Sequence, residues 1–218
     1  MFWHFWLSRH HTVIKNMLNA CCWAFVGFGF YLLFIADERF QSYPKFQAGI
    51  AFLSVLAMFA PYVVFRLWKL LEVYHPPLLV HLEFLVVTPL TANGIGARWL
   101  YDLNVGFDSF VHFTNIFLLG LLFGSVMWLL FRRHVHAYRA LWFFIIVALF
   151  FVLGILFEAY EQFSDAWFRT TMWGEGHTMI VEDTTADILY DAFGALAAGL
   201  FFVGYGIDSL NRWVRVRA

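Results

Sequence analysis

The sequence predicts an all-α polytopic membrane protein, with six transmembrane helices in one bundle and both termini cytoplasmic. Three observations carry this. The 218 residues are 62% hydrophobic and 13% charged, against about 45–50% and about 25% in soluble domains. The excess, rich in its 28 Phe, 10 Trp and 9 Tyr, falls in runs near the ~20 residues that a helix needs to cross the hydrocarbon of a bilayer. The basic residues then sort onto one side of those runs. A formal net charge of −1 and the missing basic patch argue against a nucleic-acid partner, and the composition excludes disorder, collagen-like repeats and a disulfide-stapled domain.

The expected spans are 13–36, 46–68, 77–100, 108–131, 141–162 and 184–207, within a single membrane domain covering 1–218. Residues 1–12 form a cytoplasmic, interfacial N-terminus in which Trp3, Phe5 and Trp6 suit an aromatic anchor. Leu18-Asn19-Ala20-Cys21 is a poor lipoprotein cleavage site because Lys15 and Asn16 interrupt the apolar stretch it needs. Adjacent Cys21 and Cys22 lack CxxC spacing and imply neither a metal site nor a disulfide.

Spans one and two have essentially no ionisable interior residues and serve as scaffold. Span three differs, since Pro77, Pro89, Gly94 and Gly96 accompany His81, Glu83, Thr88, Thr91 and Asn93. It should be kinked and face the bundle interior, with Glu83 and His81 pairing with each other or with Arg66. Residues 208–218 form a basic cytoplasmic tail.

Six spans put Arg9, Lys15, Arg66, Lys69, Arg132, Arg133, Arg139, Arg212, Arg215 and Arg217 on one side. They leave only Arg39, Lys45, Arg98 and Arg169 of the 14 basic residues on the other. An odd span count would scramble that partition, so the charge bias sets the orientation. The stretch 163–183, with Trp167, Trp173, Gly174, Gly176 and His177, is either a lid or an interfacial loop on the non-cytoplasmic side.

Ionisable groups inside spans are costly, so their positions are the main functional signal. Asp108 and His112 lie four apart at the outer start of span four, and Glu158 and Glu161 lie three apart where span five ends. Asp183, Asp187 and Asp191 recur every fourth residue along span six, with Asp191 about 12 Å in. Asp183 suits a helix cap, and Glu182 and Asp165 suit a solvated surface. The remaining acids converge with His112 on one non-cytoplasmic pocket, where only Arg98 and Arg169 could offset them.

Carboxylates with one imidazole suit a divalent metal ion, Zn, Mg, Mn or Fe, rather than Cu(I) or an iron–sulfur centre. Asp108, His112, Glu158 and Asp187 are the expected ligands. Glu161 or Asp191 is the expected general base. Haem fails because His81 and His112 lie near opposite faces, while His4, His10, His11, His134 and His136 suit solvated surface. No GxSxG, HExxH or P-loop spacing occurs.

Phe107-Asp108-Ser109-Phe110-Val111-His112-Phe113, then Phe157-Glu158-Ala159-Tyr160-Glu161, then Asp183-Thr184-Thr185-Ala186-Asp187 with Gly194-Ala195 occur in this order. Together they resemble the YjdF-like family of bacterial inner-membrane proteins and, more distantly, VanZ-like proteins. Ser109 stands where the family usually has Arg, and Asp191 where it typically has no acid. The resemblance implies a multi-pass location in the bacterial inner (plasma) membrane and carries no established reaction.

The expected function is metal-dependent hydrolysis or group transfer on a lipid-linked or cell-envelope substrate, with membrane lipid as the surrounding partner. A proton- or cation-coupled transporter is the alternative, using the same acids as a relay and span three as a broken helix. A non-catalytic accessory subunit, docking through its aromatic spans, is the third.

Overall fold

The computed structural model describes residues 2–36, 44–95, 107–168 and 180–214, and it is all-helical apart from a single β-bridge. Helices α1 (Phe2–Phe34), α2 (Pro44–Leu67), α3 (Pro76–Ile95), α4 (Phe107–Ala137), α5 (Arg139–Phe168) and α6 (Ile180–Phe201) are followed by a π-helical turn at Phe202–Gly206 and a short α7, Ile207–Asn211. Among the described residues five stretches are long and apolar enough to cross a membrane: Arg9–Phe34, Gln47–Leu67, Phe107–Ala137, Arg139–Ser164 and Thr184–Asn211. Arg98, Arg169, Trp173, Gly174, Gly176, His177, Arg215 and Arg217 lie outside the described residues.

Helix α3 is not among those five. It carries its polar residues on a length that packs against α1, α2 and α4. Leu78, Val80, Leu82, Glu83, Leu85 and Val87 are all buried along it. The opposite pattern holds for α5, whose Phe144, Phe151, Val152, Leu153, Ile155 and Leu156 point outward. Such an apolar exterior is stable only in hydrocarbon.

Glu83 pairs with Lys15 of α1, and not with His81 or Arg66. Lys15 also lies 5.3 Å over the Tyr62 ring of α2. The side chain expected at the membrane surface thus ties three helices together. His81 instead sits 3.4 Å from the Ser125 hydroxyl and against Trp213.

Helices α4 and α6 pack closely because small residues line their seam, as membrane helices require when lipid offers no hydrophobic drive to associate. Gly194 shows how close: a Cβ there would lie 2.6 Å from the backbone oxygen of Phe113. Ala195 and Ala198 continue the same buried face.

The helices run further than expected at the basic end. Helix α4 extends through Ala137 and bends at Phe131 (φ −130, ψ 37). The expected tail at 208–218 is in part folded onto the bundle. Ile207, Leu210 and Trp213 recur every third residue and are buried. Trp213 accepts a backbone hydrogen bond from His75 at 2.8 Å, and Tyr74 and Val214 form the β-bridge. Cys21 and Cys22 are both free thiols.

Candidate metal centre

At the end of the bundle away from α7, three helices each turn an acidic face inward. On α5 the buried positions Ile146, Phe150, Glu158, Glu161 and Ser164 follow helical spacing, so the two glutamates emerge at the end of an otherwise apolar stripe. On α6, Asp187 and Asp191 start the stripe that Ala195 and Ala198 continue. On α4, Asp108 lies in the first turn and His112 one turn deeper.

His112 is the centre of the cluster and only 4% exposed. Its Nδ1 lies 3.2 Å from Asp191 Oδ1 and 3.8 Å from Glu158 Oε1, while its Nε2 lies 3.8 Å from Asp108 Oδ1. Where Asp191 is ionised and the imidazole neutral, Nδ1 carries the proton towards Asp191 and Nε2 is the nitrogen left for a metal ion. Phe157 packs against the imidazole in a T-shaped arrangement, 5.7 Å between ring centroids.

Two three-residue groups share this imidazole: Asp108, His112 and Asp187, and His112, Glu158 and Glu161. In each, one ligand atom per residue lies within 4.8 Å of the others, a spacing that one metal ion can bridge. Asp191 belongs to neither. The sequence grouped it with Glu161 as a possible base, whereas the side chain it meets at hydrogen-bond distance is His112.

Space for Asp191 is made by Gly154 of α5, where a Cβ would lie 2.5 Å from Asp191 Oδ2. The Thr184 hydroxyl donates to Glu158. Glu158 Oε1, Asp191 Oδ2 and Ser164 Oγ are buried without a hydrogen-bond partner among the described residues. Such atoms each carry a desolvation cost that a bound cation or water would relieve. Among the described residues no lysine or arginine pairs with Glu158, Glu161 or Asp191, since the pairs formed by Lys15 and Arg139 lie elsewhere.

Residues 20–207 match the family model of a predicted membrane protein family, DUF2238. The chain belongs to that family. No curated protein and no solved structure matches it. In this DUF2238 protein the matched stretch includes all of the cluster residues, from Asp108 to Asp191.

The sequence pointed to Asp108, His112, Glu158, Glu161, Asp187 and Asp191, and the fold brings all six together. Asp183, Glu182 and Asp165 belong to stretches whose side chains are not described. Gly154 and Ser164 were missed. Their signal is their position on the face that carries Glu158 and Glu161, four before the first and three after the second.

Proposed function

We propose that this chain is a six-span protein of the bacterial inner membrane, with α3 as the sixth span and both termini cytoplasmic, that holds a divalent metal ion at the non-cytoplasmic end of α4, α5 and α6. The YjdF-like resemblance and the sorting of basic residues support that placement. The metal centre rests chiefly on one observation: a buried imidazole hydrogen-bonded to a carboxylate through one nitrogen, with two further carboxylates grouped with it. A carboxylate that orients a ligating histidine in this way is a recurrent feature of metal sites.

In this reading Asp108, His112 and Asp187 are ligands, with Asp108 partly open to the outside. Asp191 is a positioning residue that fixes the His112 tautomer. Glu158, grouped with the same imidazole, is the further carboxylate that can ligate or bridge. A divalent ion supplies Lewis-acid polarisation of a phosphoryl or acyl oxygen. Glu161 takes the proton from the attacking water or hydroxyl and returns it to the departing oxygen. The substrate class is a lipid-linked or cell-envelope ester, because the cluster lies at the end of spans whose outer faces are apolar.

Elemental analysis of purified protein tests this. Wild type is expected to carry about one Zn, Mn, Fe or Mg per chain, a stoichiometry that Asp187→Asn lowers at least about tenfold and Glu161→Gln leaves intact. Wild type without stoichiometric metal after reconstitution with each ion would sink the reading.

Transport is the second reading, favoured by polar pairs elsewhere along α3. Asn115 donates to Asn93 at 3.0 Å, and His81 and Ser125 meet nearer the other end. Ten residues, or about 15 Å, separate Asn115 from Ser125, and buried Leu118 and Leu121 fill the interval. An apolar plug of that length favours a site over a pathway. Proton uptake in proteoliposomes that depends on membrane potential and is lost in Glu83→Gln would reverse the order.

A further inference from the structure

We propose that the basic end of the bundle holds a second site, a phosphate-binding cavity for the headgroup of an anionic phospholipid. A cavity of about 520 Å³ opens there between α4 and α7, lined by Arg132, Arg133, His136, Ala137 and Asn211. Two arginines and a histidine are among the five residues that line it, and no acidic residue is. The nearby acid, Asp208, is held elsewhere: Arg139 grips both of its oxygens, at 2.6 and 3.3 Å.

Arg132 is fixed before any ligand arrives. Its Nε donates to Asn211 Oδ1 at 3.0 Å, and its guanidinium lies 5.4 Å from the ring centre of the fully buried Trp128. Those contacts use Nε and one face of the plane, leaving the two terminal nitrogens as a fork suited to two phosphate oxygens. Arg133 has no hydrogen bond or ion pair among the described residues. The bend at Phe131 lies immediately before the pair and turns the helix end that carries both arginines.

The surroundings favour a lipid over a free phosphate ester. Leu130, Phe131, Tyr138 and Leu141, which flank the lining residues in sequence, are exposed and offer apolar surface to the acyl chains of a headgroup held there. With the orientation proposed above, these arginines lie at the cytoplasmic leaflet, whose anionic lipids would attract them.

The test uses the full chain in a neutral detergent, titrated with phosphatidylglycerol, phosphatidylcholine or glycerophosphate and read by native mass spectrometry. Phosphatidylglycerol is expected to bind wild type in preference to phosphatidylcholine. Its Kd should rise at least about tenfold in Arg132→Gln/Arg133→Gln and stay within about twofold in Arg66→Gln/Lys69→Gln, which removes two charges at the same end outside the cavity. Arg133→Gln alone, at a residue without a folded partner, should weaken binding about fivefold and covers the case in which the double variant fails to fold. Glycerophosphate binding that depends on the arginines, with phosphatidylglycerol no tighter, would uphold the phosphate site and overturn the lipid source. Equal phosphatidylglycerol affinity in wild type and both cavity variants, or equal weakening by the Arg66/Lys69 pair, would overturn the proposal.

Discussion

Gly194→Val is expected to destabilise the protein by about 3 kcal/mol or more and to strip it of its metal, the largest joint effect of any single substitution here. A Cβ at this position would lie 2.6 Å from the Phe113 backbone oxygen, so no rotamer change can relieve the clash. The seam between α4 and α6 must part, at the upper end of the cost of overpacking. Separation moves Asp187 and Asp191 away from His112, which is why binding falls together with stability. Thermal unfolding in detergent, followed by gel filtration with elemental analysis of the folded fraction, checks both effects. Gly49→Val is the control, because nothing lies within 4 Å of a Cβ there and valine forms helix better than glycine. Its stability should change by less than about 0.5 kcal/mol.

The second large effect lies at the other end of the bundle. Lys15→Met should cost about 3–5 kcal/mol, because it leaves Glu83, only 3% exposed, without its cation. Most of that cost is the burial of a lone carboxylate rather than the worth of the pair. Adding Glu83→Leu to Lys15→Met should therefore restore most of the lost stability. A double-mutant cycle in chemical or thermal unfolding measures the coupling. A coupling below about 0.5 kcal/mol would mean that water reaches Glu83 and that the pair does not hold α1 against α3.

That pair marks where the sequence stops being informative. Apolar run lengths are local, so the long helices could be read from them, and helical spacing is local too. Asp108 with His112, Glu158 with Glu161, and Asp187 with Asp191 could accordingly each be placed on one face. Their convergence followed because all three pairs lie at the same end of successive helices. Which helix borders α3 is a non-local fact, and nothing in the sequence around Glu83 selects Lys15 over Arg66. The same limit hid the Asp191–His112 contact, which depends on the rotation of α6 against α4 and on the room left by Gly154.

The folded-back C-terminus had a legible signal in the spacing of Ile207, Leu210 and Trp213. The nearby basic residues drew attention to surface charge instead. Polar residues on α3 were a sound guide: a helix that need not face lipid can carry His81, Glu83 and Asn93, and burial on several faces is what the structure has.

Anomalous diffraction from crystals of the purified protein loaded with Mn or Zn shows whether His112 and its carboxylates hold a metal ion. One strong anomalous peak is expected within about 2.0–2.3 Å of His112 Nε2 and of carboxylate oxygens from Asp108 and Asp187, with Asp191 on Nδ1. Loaded crystals in which no anomalous peak lies within ligand distance of His112 would contradict it.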